Sequence, residues 1–340
     1  MIYAPLGFVW MYYVVSSRTF WFFSPANPTL EFSGFEGENK KEMYEQLPSH
    51  YYPKTVFVNA KQDLQNVIEL VSENTFHYPF VAKPQVGMHG MMFRKIRNEQ
   101  QLQEYHAYNK VDYIIQEYVD LPMEFSVFYI RYPGEKRGKI TGFILKDYLA
   151  VTGNGASTLL ELIRKHPRAS LREEEMQQKH ASYLDCVIAE DEKYYLSIAG
   201  NHNRGTRFIN LEKEIDERLC NVFDKISNEA GHFYFGRYDL KCSSVEDMKA
   251  GKNISILEFN GAGAEPNHIY DCGMKYSIAL KIINDHWRDL YNISRINYNN
   301  GIEYWSFIKG FKYLRKAKRY FKQLYKDDLQ ANLLGNFPGD

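Results

Sequence analysis

The stretch from Phe235 to Asn260 constrains this chain more than any other. It reads Phe-Gly-Arg-Tyr-Asp-Leu-Lys, a polar connection from Ser243 to Asn253, then Ile-Ser-Ile-Leu-Glu-Phe-Asn. Both arms are rich in β-branched and aromatic residues and flank a Ser/Asp/Gly/Lys connection, so two strands joined by a turn are expected. Alternate side chains of a strand share a face, which puts Arg237 with Asp239 and opposes them to Tyr238 and Leu240. The same rule puts Glu258 with Asn260. If the arms pair, one patch carries two carboxylates, an amide oxygen and a guanidinium. Such a hard-oxygen set suits Mg²⁺, which takes its remaining ligands from water and phosphates, and the planar fork of Arg237 suits a phosphoryl group. An ordinary hairpin with one solvated face shows the same alternation, so the reading turns on the rest of the chain.

A glycine-bearing hairpin supplies a second half. Phe80-Val-Ala-Lys83-Pro84 reads as a strand ending on a lysine, followed by Gln-Val-Gly87-Met-His-Gly90 and a strand from Met91 to Ile96. Backbone N–H groups at glycines can close over phosphates. The spacing is neither that of the strand-to-helix phosphate loop nor that of the dinucleotide turn. Around it, Lys40 to Leu47, Asp63 to Glu73 and Asn98 to Tyr108 read as helices, and Val56 to Val58 and Tyr113 to Val119 as strands. Further strands are expected at Glu124–Ile130, Gly138–Tyr148 and Tyr194–Ile198, and helices at Leu159–Lys165, Leu171–Leu184, Glu212–Gly231 and Gly273–Leu290.

The 340 residues suffice for one large or two modest domains. Lys plus Arg and Asp plus Glu both number 42, so no global field favours nucleic acid. Cys186, Cys220, Cys242 and Cys272 are widely spaced and form no C-x-x-C pair, which points to reduced thiols and a cytoplasmic compartment.

Both ends of the chain are distinctive. From Ile2 to Phe23 the only charge is Arg18, and Leu6 to Val15 is continuously apolar, too short a run to span a bilayer. Either it packs on the domain, or its aromatic residues sit at a membrane–water boundary. Tyr304 to Leu329 reads as one amphipathic helix with Lys309, Lys312, Arg315, Lys316, Lys318, Arg319, Lys322 and Lys326. It either presents a solvated lysine-rich face or lies on an anionic membrane surface.

Six segments in this order resemble the ATP-grasp superfamily, and within it the D-alanine–D-alanine ligases and cyanophycin-synthetase-type ligases. They are Phe80-Val-Ala-Lys83-Pro84 with its glycine loop, Ile115-Gln-Glu-Tyr-Val119, Glu124-Phe-Ser, Val151-Thr-Gly-Asn-Gly155, Gly236-Arg-Tyr-Asp239 and Leu257-Glu-Phe-Asn260. The resemblance implies an α+β fold in which two lobes, each with an antiparallel sheet, sandwich ATP. It divides the chain into an aromatic-rich segment (1–50), a small lobe with the glycine loop (51–118), a large lobe with the Mg²⁺ site (119–290) and a basic helix (291–340).

The resemblance also implies roles. Lys83, Gly87 and Gly90 would hold phosphates, with Lys40 (or Lys41) and Lys146 as further phosphate lysines. Gln116, Glu117 and Val119 would meet adenine and Glu124 the ribose. Arg237 would grip the transferring phosphoryl group, and Asp239, Glu258 and Asn260 would bind two Mg²⁺. The activity implied is carboxylate–amine ligation through an acyl phosphate. The chain departs from the D-alanine ligases, which carry a whole α/β domain where only an aromatic-rich segment precedes Pro53 here. Its Thr-Gly-Asn-Gly loop and Asn203-Arg204-Gly205 turn look nearer to ligases that extend peptides or poly-amino acids. His202, Asn203 and Arg204, with Arg207, either meet a substrate carboxylate or cap a helix. A non-catalytic, membrane-associated nucleotide-binding module is the alternative from another class.

Overall fold

Strand alternation and helical stripes sort the middle of the chain into two sheets, as seen in a computed structural model that describes residues 2–88, 90–197, 200, 205–270 and 273–333. The first sheet contains β1 (Thr55–Val58), β2 (Phe80–Pro84), β3 (Arg94–Ile96) and β4 (Tyr113–Glu117), ordered β1-β4-β2-β3 with every neighbour antiparallel. Helices α3 (Leu64–Glu73) and α4 (Glu99–Tyr108) start where Asp63 and Asn98 accept hydrogen bonds from backbone N–H groups of their first turns. Their Val67, Val71, Leu102 and Tyr105 pack on Phe80, Ala82 and Ile115 of the sheet.

The second sheet has five strands: β5 (Met123–Ile130), β6 (Lys139–Asp147), β9 (Arg207–Asn210), β10 (Phe235–Cys242) and β11 (Ser255–Asn260). Their order is β11-β10-β5-β6-β9, again all antiparallel. One face is apolar, with Phe125, Val127, Tyr238 and Leu240 under α7 (Glu217–Ala230) and α8 (Val245–Lys249). The other face is split along its strands. Phe128, Ile130 and Phe235 are roofed by α9 (Tyr276–Asn299) and the N-terminal aromatics, whereas Glu124, Arg237, Asp239 and Lys241 line an open cleft. Between β6 and β9 lies a small unit with its own core, made of β7 (Ala150–Thr152), β8 (Lys193–Tyr195), α5 (Leu159–Lys165) and α6 (Glu173–Lys179). The result is an α+β arrangement built on two antiparallel sheets, as the sequence motifs lead one to expect.

The N-terminal segment is built onto the second sheet and α9. Helix α1 (Gly7–Ser17) packs Trp10, Tyr13 and Val14 with Phe22 and Phe23 against Trp287 and Tyr291 of α9. Buried Asn27 clamps the start of β10, accepting from the Tyr234 and Phe235 N–H groups and donating to the Phe235 carbonyl at 2.8 Å. Backbone then meets backbone, with Ala262 and Gly263 N–H groups donating to Ser33 and Gly34 carbonyls. A Cβ on Gly263 would lie 2.0 Å from the Phe35 carbonyl oxygen, so only glycine permits this approach. A short α2 (Lys40–Tyr44) follows.

Several elements differ from the sequence expectation. The strand after the glycine loop begins at Arg94 rather than Met91, because residues 90–92 form a turn. The helix expected over 171–184 contracts to Glu173–Lys179, with Met176 its only buried residue. Strand β9 lies in a stretch for which no element was expected, and helix α8 where only a turn was. The last two helices run further, to Asn299 and, in α10 (Phe307–Leu333), to Leu333.

Helix α10 reaches from the aromatic cluster to the first sheet, where Phe321, Leu324 and Ala331 join its core. Asp328 pairs there with Arg94 at 3.2 Å and accepts the Met92 N–H. Leu324→Ala should therefore destabilise the protein by about 2–4 kcal/mol, while exposed Leu329→Ala should stay within about 0.5 kcal/mol. Urea denaturation of the two variants checks this; equal effects would mean that α10 does not belong to the folded core.

Candidate active site

The two sheets face each other across a cleft of about 960 Å³ whose lining includes the glycine loop, the end of β4 and the polar half of the large sheet. That size is in the range of small-ligand sites. Antiparallel register builds the floor. Arg237 pairs with Asn260 and Asp239 with Glu258 between β10 and β11, Asp239 with Ser126 between β10 and β5, and Glu124 with Lys146 between β5 and β6.

Asp239 is the centre. Arg237 donates to both its oxygens at 3.0 and 3.1 Å, Asn260 donates at 3.2 Å, Ser126 donates to Oδ1, and the Lys146 ammonium stands 3.4 Å from Oδ2. Burial pushes its carboxyl up, but Arg237 and Lys146 outweigh it and hold the group well below the usual range. The remaining guanidinium nitrogen of Arg237 donates to Asn267 at 2.8 Å and to the Glu265 carbonyl at 3.1 Å. Buried Lys146 also binds Glu124 at 2.9 Å; burial alone would lower its pKa, and Asp239 and Glu124 raise it instead. Lys40, from α2, reaches Glu258 at 3.1 Å. Burial raises Glu258, and Lys40 and Lys83 together more than offset that.

Two groups fare differently. Lys83 lines the cleft, and burial followed by repulsion from Lys40 brings its ammonium down to about 7. Glu38 is brought up to about 7 by burial and then by Glu258.

Of the residues singled out in the sequence, Lys40, Lys83, Gly87, Gly90, Gln116, Glu117, Val119, Glu124, Lys146, Arg237, Asp239, Glu258 and Asn260 all line this one cleft. Lys41 does not; it makes a surface pair with Glu45. The Gln116 side chain is spent on Tyr44 and Thr55, at 2.8 and 2.7 Å, and the Glu117 N–H on the Lys54 carbonyl. The Glu124 carboxylate is taken by Lys146 and the Tyr148 hydroxyl. His202, Asn203 and Arg204 lie outside the described residues, as does Cys272. Ser126 and Tyr148, not singled out in the sequence, stand two residues from Glu124 and Lys146, so strand alternation could have found them. No comparable signal marks Glu38 or Asn267.

The oxygen donors of Asp239, Glu258 and Asn260 suit a hard divalent cation. Lys40, Lys146 and Arg237 presently supply the balancing positive charge, and among the described residues no group of three His, Cys, Asp or Glu forms a ready metal cage. Glu258 engages one oxygen with Lys40 and is the more accessible of the two carboxylates.

No family model matches the chain, and no curated protein does. Among solved structures it is similar to a bifunctional glutathione synthetase from Pasteurella multocida, at 15% identity and a TM-score of 0.40 over 74% of this chain and 36% of that one. It is also similar to a D-alanine–D-alanine ligase from Bacillus anthracis, at 14% identity and a TM-score of 0.42 over 77% and 69% of the two chains. The VanG D-Ala:D-Ser ligase from Enterococcus faecalis gives 14% identity and a TM-score of 0.43 over 77% and 64%. The chain thus spans about a third of the length of the first and about two thirds of the other two.

The lowered Lys83 has a consequence for stability. Its folded pKa, about 7, lies below the ordinary value of 10.5, so between these limits the unfolded chain holds a proton the folded one lacks. Stability from this group therefore rises with pH across that window. Lys83→Met should be stabilising near pH 7, with an advantage that shrinks toward pH 10, read by urea denaturation. An advantage independent of pH would refute the shifted lysine.

Proposed function

We propose that the chain is an ATP- and Mg²⁺-dependent carboxylate–amine ligase that forms a peptide-like bond through an acyl phosphate. The observation that carries this reading is the cleft itself. On its floor Arg237, Asp239, Glu258 and Asn260 share one face of paired strands, with Lys40, Lys83 and Lys146 in the same cleft. In this reading residues 51–118 act as the lobe that covers the nucleotide and 119–290 as the lobe that holds the metals. The backbone from Gln116 to Val119 meets adenine, and Lys83 with the loop from Gly87 to Gly90 holds phosphates. Bound Mg²⁺, two ions held by Asp239, Glu258 and Asn260, supplies charge neutralisation of the polyphosphate. Arg237, held at the floor by Asp239 and Asn267, supplies the guanidinium that meets the transferring group. Closure of the glycine loop excludes water from the acyl phosphate.

The substrates proposed are small-molecule carboxylates and amines, D-alanine-like amino acids or peptides and poly-amino acids that are extended. The location proposed is cytoplasmic, with peripheral contact to an anionic membrane through the basic face of α10. A second reading, a nucleotide-binding module without turnover, has one observation in its favour: the metal-type carboxylates already hold protein cations.

Incubation with ATP, Mg²⁺ and a pooled set of amino acids and short peptides, followed by phosphate release and product mass spectrometry, separates the readings. Ligation is expected, with a loss of about 10²–10³-fold in Arg237→Ala. Nucleotide binding without phosphate release on any substrate would favour the module.

A further inference from the structure

Helix α1 carries no charged residue, and only half of its circumference is covered. Val9, Trp10, Tyr13 and Val14 face the aromatic core, while Phe8, Met11, Tyr12 and Val15 form an outward stripe at positions i, i+3, i+4 and i+7. Phe8 is 87% exposed and Val15 71%. A helix that is apolar all round is ordinarily buried all round, so this stripe is unpartnered in the free chain. Three residues past the end of α1, exposed Phe20 meets the ring of Phe307 at 5.2 Å. Phe307 begins α10, where Ile308 and Phe311 are exposed as well. The two ends of the chain thus converge on an outward apolar surface.

The same surface of α10 continues as charge. Lys312, Arg315, Lys316, Lys318, Arg319, Lys322 and Lys326 all point to solvent, and no carboxylate accompanies them on that side. Asp327 and Asp328, the acids of this helix, are turned inward and buried. Among the described residues none of these seven cations closes an ion pair. Unpaired lysines are unremarkable singly, but a one-signed row next to exposed aromatic and branched side chains is the pattern of an interfacial helix.

We propose that the outer faces of α1 and α10 form a single docking surface for an anionic lipid bilayer. The stripe of α1 with Phe20, Phe307, Ile308 and Phe311 enters the boundary between headgroups and acyl chains, and the basic row of α10 lies on the headgroups. No described helix is long and apolar enough to cross a membrane, so the contact is with one leaflet. A second protein copy would bring a second basic row against the first and is disfavoured by that repulsion. The proposal rests on the peripheral location proposed above and is independent of the ligase chemistry.

The test is flotation of the full chain with phosphatidylcholine vesicles, with and without phosphatidylglycerol. Anionic vesicles should bind at least about tenfold more tightly, and higher salt should weaken that binding. A charge-reversed variant (K312E, R315E, R319E, K322E) should lose the preference for anionic lipid. The double variant F8E/I308E should weaken binding about tenfold at every lipid composition. Both variants change exposed side chains, and an unaltered urea-denaturation midpoint without vesicles verifies their fold, so the result stands apart from success or failure of the ligase reading. Binding indifferent to lipid charge would overturn the proposal. So would self-association without vesicles that F8E/I308E abolishes, which would assign the surface to a second copy.

Discussion

Asp239, itself buried at the floor of the cleft, receives donors from four residues, and the large sheet is arranged so that they converge. Arg237 shares its strand, Asn260 comes from β11, Ser126 from β5 and Lys146 from β6. A carboxylate this buried costs several kcal/mol to desolvate, and it is tolerated only when its charge is met and its lone pairs are filled. The four strands must therefore pair in one register. A slip of one residue would turn Arg237 and Asp239 into the apolar face and bring Tyr238 and Leu240, both 0% exposed, out into the cleft. The charge cluster and the hydrophobic face specify the same alignment from opposite sides of the sheet.

The ends of the chain extend that arrangement across the cleft. Asn27 and the 33–35 segment fix the N-terminal region to β10 and to the turn after β11, and this delivers Lys40 to Glu258. Helix α10 performs the corresponding task for the small lobe. Its Tyr313 hydroxyl donates to the Glu36 carbonyl, its Tyr320 hydroxyl to the Val86 carbonyl beside the glycine loop, and its Asp328 accepts from Met92 beyond it. The base of the loop is thereby tied to the helix whose outer face carries the basic row. Anything that binds that face acts on an element already in contact with the N-terminal segment and the first sheet.

Much of the floor of the cleft was legible because a strand displays its chemistry with period two. Arg237/Asp239 and Glu258/Asn260 needed only that rule, and their pairing followed from the hairpin. What was not legible depended on long-range contact or on very short elements. The Lys40–Glu258 pair spans 218 positions, and nothing local distinguishes Lys40 from Lys41. Strand β9 has four residues beside Gly and Asn turn signals, and α8 is a single capped turn inside a polar connection. The charged run around α6 lacked an apolar stripe: Leu171 is 83% exposed, so nothing holds a longer helix there. Gly261 and Gly263 read as the end of a strand, but their reason is the backbone of residues 33–35 lying against them.

On the floor of the cleft carboxylates are met by cations, yet the cancellation is uneven. Asp239, Glu258 and Glu124 each hold a cation at hydrogen-bond distance. Lys83 and Glu38 do not share in this: burial and a like-charged neighbour, Lys40 for one and Glu258 for the other, bring both to about 7. Each is a charged group in a site that disfavours its charge. A purely anionic ligand would relieve Lys83 and aggravate Glu38, and a bare metal ion would do the reverse. A divalent cation bound together with a polyphosphate relieves both at once, because each component brings the sign that one of the two groups lacks. The uneven cancellation is thus itself an argument for a ligand of mixed charge, and one of its two halves, Glu38, belongs to no sequence motif.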